Sequence, residues 1–266
     1  MNSDCFFTGT RQHHICQDYA LSVMKPFPFV MIGDGCSSSP NTDIGARVLL
    51  QHFKKEVLRH VRDDDFDISV FEHCKETIDR LGLEQESLDA TLIICKVNDD
   101  LVDVKIFGDG NLIFCYGNDE TYHYELKYSN NAPFYLSYYF DIDRQNQYIA
   151  SLTSVSIKSE KLYFNNKIEE EIKYFNDAFD YTFTIRDHQY KNLKYVCIAS
   201  DGLSSFFNKS TGENIPIDRV VKDVIAFKNH TGEFVKRRMY KLMKDYEKEG
   251  IVNYDDVSVA AIYCGE

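Results

Sequence analysis

Short apolar runs, each bounded by residues that favour turns, constrain the fold of this chain more than any other feature. The runs are rich in Val, Ile, Phe and Tyr, and Gly, Asp, Asn or Pro stand at their ends, which is typical of β-strands. Several are apolar on both faces, so we expect the corresponding strands to be covered on both sides. The predicted strands lie at 19–24, 28–33, 90–97, 101–108, 112–117, 147–157, 180–185, 194–200 and 257–264.

Two of the segments between these runs have the apolar periodicity of a helix. Apolar residues recur every three or four positions at 42–62 and again at 68–81, which predicts two amphipathic helices. Two further helices are predicted at 217–227 and 233–248. Runs of strands followed by pairs of helices favour an α+β fold over alternating βαβ units, with the helix pairs covering two packed antiparallel sheets.

The chain length fits a single domain. A domain usually has about 100–200 residues, and a chain of 266 residues can bury a large apolar core. Neither a repeat nor a low-complexity linker divides the sequence, so we predict one domain over 1–266. The stretch at about 118–190 is the least regular part and is rich in Tyr, Asn and Asp, which indicates a surface insertion there.

Charge and cysteine content limit the partners and the location. The 30 basic and 42 acidic side chains give a net charge of −12, the opposite of the basic surface that binds nucleic acid or anionic membranes. None of the eight cysteines forms a C-x-x-C pair, and the longest apolar stretch is far shorter than the ~20 residues that span a bilayer. The N-terminus has no secretory signal pattern. We therefore expect a cytoplasmic protein with reduced thiols, and neither nucleic acid nor membrane as a partner.

Aspartates stand at the ends of the predicted strands, and three of them precede a glycine. For Asp109 alone a turn explains the pattern, because Asp-Gly is a common hairpin dipeptide. Several such positions together favour metal binding, because carboxylates that meet at one sheet edge repel one another unless a cation neutralises them. Oxygen ligands of this kind select Mg²⁺ or Mn²⁺. The aspartates in question are Asp18, Asp34, Asp109, Asp201 and Asp255.

These aspartates belong to a set of short motifs. In chain order the motifs are CQDYAL, GDGCSSSPNTDIGA, LDATL, FGDGN, IASDGLSSF and DDVSV, and they extend over residues from about 9 to 263. Together and in this order they resemble the protein phosphatase 2C family of metal-dependent Ser/Thr phosphatases, in particular its bacterial branch. The resemblance implies a four-layer α-β-β-α sandwich of two antiparallel sheets flanked by helix pairs.

The resemblance also implies a site for two Mn²⁺ or Mg²⁺ ions at one end of the sandwich, with a weaker third ion beside them. Within the family's pattern, Asp34 matches the carboxylate that bridges the two ions. The remaining implied ligands are Asp201 and Asp255 for the first ion, the Gly35 carbonyl and Asp18 for the second, and Asp109 for the third.

The activity that the resemblance implies is hydrolysis of phosphoserine and phosphothreonine in proteins by a metal-bridging water. Asp34, Asp201 and His13 are the expected catalytic residues. His13 is included because it stands at the position where the family has an Arg that grips phosphate. The implied partners are a phosphorylated protein and a cognate Ser/Thr kinase.

Two positions depart from the family's pattern and leave other functions open. Cys36 stands where many members have a His that protonates the leaving group, and His13 replaces the usual Arg, for which Arg11 or His14 is a potential substitute. Both changes predict weaker phosphate binding or a lower rate. They favour the alternative of a catalytically weak or inactive relative that binds a phosphorylated partner or regulates a kinase. A hydrolase of small phosphate esters would use the same site.

Overall fold

The structure is a computed structural model that describes residues 1–10, 13–59, 67–98, 101–117, 120–128, 131–151, 155–163, 168–175, 180–186 and 192–265. Within these residues the strands are β1 (Asn2–Thr8), β2 (Asp18–Val23), β3 (Phe29–Gly35), β4 (Ala90–Asn98), β5 (Leu101–Phe107), β6 (Gly110–Tyr116), β7 (Glu120–Tyr128), β8 (Val155–Tyr163), β9 (Ile168–Phe175), β10 (Asp180–Arg186), β11 (Leu193–Ala199), β12 (Phe206–Asn208), β13 (Ile251–Asn253) and β14 (Val257–Tyr263).

The strands form two large antiparallel sheets and one small pair. One sheet has seven strands in the order β1-β14-β11-β6-β7-β8-β9, the other has five in the order β10-β5-β4-β3-β2, and β12 pairs with β13. The helices of the described residues are α1 (Thr42–Arg59), α2 (Val70–Arg80), α3 (Ile142–Ser151), α4 (Ile217–Ile225) and α5 (Phe234–Lys248). Short 3-10 turns cover Gln85–Leu88, Leu136–Phe140 and Asp201–Ser205.

Three apolar layers hold the sheets and helices together. The inner faces of the two sheets pack on each other, α1 and α2 cover the outer face of the five-stranded sheet, and α4 and α5 cover the outer face of the seven-stranded sheet. Representative residues of these layers are Ile32, Ile93, Phe114 and Ile198 between the sheets, Phe53 and Phe71 under α1 and α2, and Val221 and Val235 under α4 and α5. The predicted four-layer α-β-β-α sandwich is therefore confirmed.

Sequence periodicity explains most of these elements. Strand β3 is buried along nearly its whole length because its two faces contact different layers. In α2 the buried residues Phe71, Cys74 and Ile78 repeat at the helical period. The predicted helix at 42–62 is present as Thr42–Arg59, and residues 60–62 lie outside the described part of the chain.

One predicted strand is wrong in its first half. The sequence pattern predicts a strand over 147–157, but the structure has helix α3 up to Ser151 and strand β8 from Val155. The reason is a local cap at Asp141, whose side chain accepts a hydrogen bond from the backbone N–H of Arg144 at 3.1 Å and so starts a helix. Within α3 only Tyr148 is buried, so the apolar periodicity of a helix is nearly absent.

The predicted insertion at about 118–190 contributes regular structure where it is described. Strands β7, β8 and β9 extend the seven-stranded sheet, β10 pairs with β5 at the edge of the other sheet, and α3 lies between β7 and β8. The single-domain division over 1–266 stays a prediction. Among the described helices, none has the length and apolar character that a membrane crossing requires.

Candidate active site

A cleft of about 290 Å³ lies where strand ends from both sheets meet. The ends of β3, β5 and β11 and the starts of β4 and β14 come together there because neighbouring strands run antiparallel. The acidic part of its lining is Asp34, Asp109, Asp201, Asp255 and Asp256, and the remaining lining residues are Gln17, Gly35, Cys36, Ser37, Ser38, Thr91, Asn131, Pro133 and Tyr135.

Asp18 and Asp34 are direct neighbours across two strands. They face each other in the register of β2 and β3, so their side chains extend from the same face of the sheet. The Asp34 carboxyl lies within hydrogen-bonding reach of both Asp18 and Asp201. Like charges directly opposite each other destabilise a sheet. Three carboxyl groups in contact therefore require protons or cations between them.

Asp18 is fully buried, and the described residues give a hydrogen bond to only one of its two carboxylate oxygens. Its Oδ2 accepts a hydrogen bond from the Ser200 hydroxyl at 2.8 Å, and Ser200 Oγ in turn accepts one from the Ser258 N–H at 3.0 Å. Among the residues that the structure describes, none gives a hydrogen bond to the Asp18 Oδ1 atom. A buried carboxylate oxygen without a partner is costly, and a cation in contact with it would remove that cost.

Glycines beside Asp109 and Asp201 allow the turns that bring these two carboxylates to the cleft. Gly108 and Gly110 have φ of +101° and +130°, which favours glycine. Thr91 fixes the Asp109 carboxylate through a hydrogen bond of 2.9 Å from its hydroxyl. A Cβ on Gly202 would lie 1.8 Å from the carbonyl oxygen of Asp256, so the chain after Asp201 can approach the start of β14 only as glycine.

The neighbouring residues Asp255 and Asp256 have different surroundings and different contacts. Asp256 is buried and accepts hydrogen bonds from the backbone N–H groups of Thr10 at 2.8 Å and Gln17 at 2.7 Å, so it anchors the loop before β2. Asp255 is half-buried and its carboxylate is available to the cleft. His13 lies between them, with Nδ1 at 3.3 Å from Asp256 Oδ2 and 3.9 Å from Asp255 Oδ1.

Burial raises the pKa of every aspartate in the predicted ligand set. It raises the pKa of Asp18 to about 7 and that of Asp109 to about 8, with repulsion from Asp201 adding to both. Burial and repulsion from Asp18 raise the pKa of Asp34 well above its usual range. Burial also raises the pKa values of Asp201 and Asp255. Without a cation, these carboxyl groups therefore hold protons at a higher pH than exposed aspartates do.

The cluster fits divalent cations in its chemistry. Its donors are hard carboxylate oxygens, one of them orphaned, and such donors suit Mg²⁺ and Mn²⁺. In the part of the chain that the structure describes, no three His, Cys, Asp or Glu side chains form a ready-made coordination shell.

All the predicted site residues lie at this end of the sandwich. Asp34, Gly35, Asp109, Asp201 and Asp255 line the cleft, Asp18 lies directly behind Asp34, and His13 contacts Asp255. Arg11 lies outside the described residues. His14 is exposed, and no described contact joins it to the cleft.

Sequence reasoning missed part of the cleft. Ser200, which donates a hydrogen bond to Asp18, belongs to the motif IASDGLSSF, so the motif itself was a signal. Asn131, Pro133 and Tyr135 come from the stretch predicted to be irregular. Nothing in the sequence indicates that this stretch returns to the aspartates.

Comparison with known proteins extends these observations. A sequence model of the protein phosphatase 2C family matches residues 9–244. This range includes every predicted ligand except Asp255. No curated protein gives a significant sequence match.

Several solved structures have the same fold. A bacterial serine phosphatase has a TM-score of 0.56 at 11% identity, covering 100% of this chain and 98% of its own. The serine/threonine phosphatase Stp1 from Staphylococcus aureus has a TM-score of 0.55 at 10% identity, covering 100% and 96%. The serine/threonine phosphatase of S. agalactiae has a TM-score of 0.51 at 14% identity, covering 98% of both chains. At these identities the likeness concerns the fold.

Proposed function

This chain belongs to the protein phosphatase 2C family, and we propose that it hydrolyses phosphoserine and phosphothreonine in proteins with the help of Mn²⁺ or Mg²⁺. The observation that carries the proposal is the contact of Asp34 with both Asp18 and Asp201 at the mouth of the sandwich. Carboxyl groups are brought together there at an energetic cost, and such a cost is typical of functional sites.

The residues that would hold the ions are those of the acidic cluster. Asp34 would bridge two ions, with Asp201 and Asp255 on one side, Asp18 and the Gly35 carbonyl on the other, and Asp109 at a third, weaker position. When bound, the ions would activate water as the nucleophile and offset the negative charge of the phosphoryl group.

The chain's own residues would hold this cluster in place. Asp256 fixes the loop that carries Gln17 next to Asp18. Gln17 donates to the Thr42 hydroxyl at 2.8 Å, and Thr42 donates to the Cys36 carbonyl at 3.0 Å. These bonds tie the loop after β3 to the start of α1, so the turn at Asp34 and Gly35 has a defined shape.

His13 and Cys36 account for the weaker phosphate binding that we expect. His13 contacts the carboxylate of Asp255 and would present a single imidazole to phosphate, where a guanidinium would present a two-pronged donor. The Cys36 thiol lies 3.0 Å from the Ser38 hydroxyl. A thiol is a weak hydrogen-bond donor, so it assists a leaving group less than an imidazolium.

The partners we propose are phosphorylated proteins, among them a cognate Ser/Thr kinase, and the proposed location is the cytoplasm. All eight cysteines are free thiols. Free thiols are usual in the reducing cytoplasm. The acidic net charge of −12 supports neither nucleic acid nor anionic membrane as a partner.

The test measures hydrolysis of p-nitrophenyl phosphate and of a phosphothreonine peptide with Mn²⁺, with Mg²⁺ and with EDTA. We expect turnover with either metal and loss of turnover in EDTA. Asp34→Asn and Asp201→Asn are each expected to lower kcat by about 100-fold or more, because each removes a charged ligand. The matched control is Asp103→Asn, a buried aspartate on β5 that pairs with Lys96 away from the cleft.

Two outcomes would decide against the enzyme. Calorimetric binding of Mn²⁺ without turnover would identify the alternative, a relative that binds phosphorylated partners. Turnover that persists in EDTA or in both variants would show that the acidic cluster is not the site of the reaction.

A further inference from the structure

Beside the aspartates, two other segments of the chain line the cleft and form its second wall. Cys36, Ser37 and Ser38 come from the loop after β3, and Asn131, Pro133 and Tyr135 come from the segment after β7. The side chain of Tyr135 lies within hydrogen-bonding reach of Cys36, and both residues line the cleft, so the two segments meet there. The position of this wall therefore sets the space that remains beside the aspartates.

Asp89 ties these two segments together from behind. It is 2% exposed and precedes β4. Its Oδ2 accepts a hydrogen bond from the Ser39 hydroxyl at 2.9 Å, and its Oδ1 accepts one from the Ser137 hydroxyl at 2.7 Å. Its backbone carbonyl accepts a third from the Cys36 N–H at 2.8 Å. One residue thus holds both the loop after β3 and the segment after β7.

Arg144 completes this arrangement from α3. Its Nη2 lies 2.6 Å from Asp89 Oδ2, and its guanidinium stacks on the ring of Tyr138 at 4.6 Å from the ring centroid. The Arg144 side chain is 23% exposed and its partner 2%, so solvent screens the pair only weakly. A charge-assisted hydrogen bond in such surroundings is stronger and more directional than a neutral one.

We propose that Asp89 and Arg144 are positioning residues that hold the second wall of the cleft and so determine how a phosphorylated polypeptide is bound. This inference rests on the proposed function. The cleft of about 290 Å³ is larger than a phosphoryl group, so the residues that flank the phosphorylated side chain would contact the second wall. The described bonds of the Asp89 and Arg144 side chains involve none of the predicted metal ligands.

Loss of the Asp89–Arg144 pair is therefore expected to weaken the binding of a phosphorylated peptide more than that of a small phosphate ester. Without Arg144, one carboxylate oxygen of Asp89 loses its charged partner, and the segment at 131–140 loses the stacking contact between Tyr138 and α3. The hydrogen bond from the Tyr148 hydroxyl to the Ala132 carbonyl at 2.6 Å still joins the segment to α3, so we expect a displaced wall and not an unfolded one. A wall displaced by about 1 Å can reduce the productive binding of a substrate strongly. A small ester that reaches only the acidic cluster would not sense that displacement.

The test compares Arg144→Gln and Arg144→Lys with wild type. The matched control is Lys96→Gln, which breaks another pair, Lys96 with Asp103, on strands β4 and β5. We expect Arg144→Gln to weaken phosphothreonine-peptide binding, measured as a calorimetric Kd, by about 10-fold, and to leave kcat for p-nitrophenyl phosphate within about 2-fold. Arg144→Lys, which keeps the charge, should recover part of the affinity, and Lys96→Gln should match wild type.

Hydrogen exchange of residues 131–140 gives a readout that needs no turnover. We expect faster exchange there in Arg144→Gln and unchanged exchange in Lys96→Gln. The proposal is overturned by unchanged exchange, by unchanged peptide affinity, by peptide that fails to bind wild type, or by parallel losses on both substrates. If wild type binds the peptide without hydrolysing it, the proposed function fails, but weaker binding by Arg144→Gln would still support the positioning role.

Discussion

His13 lies at the edge of the acidic cluster, at the position that we propose contacts phosphate. Its ring is within 4 Å of both Asp255 and Asp256 and is 27% exposed. We expect His13→Arg to lower the KM for p-nitrophenyl phosphate by about 3- to 10-fold, because a guanidinium can contact a carboxylate and a phosphate at once through its fork of donors. Steady-state kinetics with saturating Mn²⁺ would measure this change in KM.

The control for His13→Arg is His14→Arg. His14 is the exposed neighbour, so this variant adds the same charge without the contacts to Asp255 and Asp256. An equal fall in KM in both variants would mean that net charge, and not the place of residue 13, governs phosphate binding. An unchanged KM in His13→Arg would remove residue 13 from the phosphate site.

The position of a single residue could be predicted from the sequence where the residue stands beside a predicted strand end. Asp34 and Asp201 stand directly after apolar runs and before glycines, so their place at the sheet edge followed from the sequence. The sequence did not predict that Asp255 and Asp256 have different roles. The role of Asp256 depends on the N–H groups of Thr10 and Gln17, which lie more than 200 positions away in the chain. Tyr135 was missed for the same reason, since its contact with Cys36 depends on the folded path of the segment after β7.

At the level of elements, helix α1 touches the turn that leads to Asp89. A Cβ on Gly45 would lie 1.5 Å from the carbonyl oxygen of Ser87, which belongs to the turn Gln85–Leu88. We expect Gly45→Ala to destabilise the protein by about 2–4 kcal/mol, because the turn or the helix must move to admit the methyl group. In an exposed helix position the same change would stabilise by about 1 kcal/mol.

Urea unfolding, followed by circular dichroism, would measure this change in the free energy of unfolding. The control is Lys55→Ala, at an exposed position on the same helix, which should alter stability by less than about 0.5 kcal/mol. A Gly45→Ala variant as stable as wild type would show that α1 and the turn are not in close contact in solution.

Elements differed in how well the sequence predicted them. Helices α1 and α2 were predicted because each has an apolar stripe at the helical period. Helix α3 was not, because it buries only Tyr148 and depends on the Asp141 cap and on the Arg144–Asp89 pair. Strand β1 was missed as well. Its partner is β14, which comes from the opposite end of the chain.

At the scale of the whole molecule, the two sheets place a group of carboxylates at one end of a sandwich that is otherwise held by apolar contacts. Each aspartate comes from a different strand end, so folding itself brings the charges together. The apolar layers stabilise the fold enough to tolerate this repulsion. Stability should therefore depend on pH and on divalent cations, and both effects should trace to the same end of the molecule.

The sign of the pH effect follows from the raised pKa values. Asp18 has a pKa of about 7 and Asp109 one of about 8 in the folded protein, whereas an aspartate in an unfolded chain has a pKa of about 4. Between these values the unfolded chain has lost protons that the folded protein keeps. The contribution of these two groups to the free energy of unfolding is therefore full below about pH 4 and is lost as the pH rises to about 8.

Excess Mn²⁺ at pH 8 should raise the melting temperature of wild type, because a cation that binds the folded cluster offsets the repulsion between its carboxylates. A ligand at 100 times its Kd stabilises by about 2.7 kcal/mol. Mn²⁺ should raise the melting temperature of Asp34→Asn much less, since that variant lacks the carboxylate expected to bridge two ions. Thermal melting with and without Mn²⁺ would measure both effects, and equal shifts in the two proteins would place the bound ion away from Asp34.

Asp18→Asn isolates one part of the pH effect. In EDTA we expect the variant to equal wild type near pH 4 and to become more stable than wild type by about 1–4 kcal/mol at pH 8, because an amide cannot ionise. The carbonyl of the introduced amide can still accept the hydrogen bond from Ser200, so the variant keeps that contact. Thermal melting over pH 4–8 would measure the difference. An Asp18→Asn variant less stable than wild type at pH 8 in EDTA would contradict a repulsive carboxylate cluster.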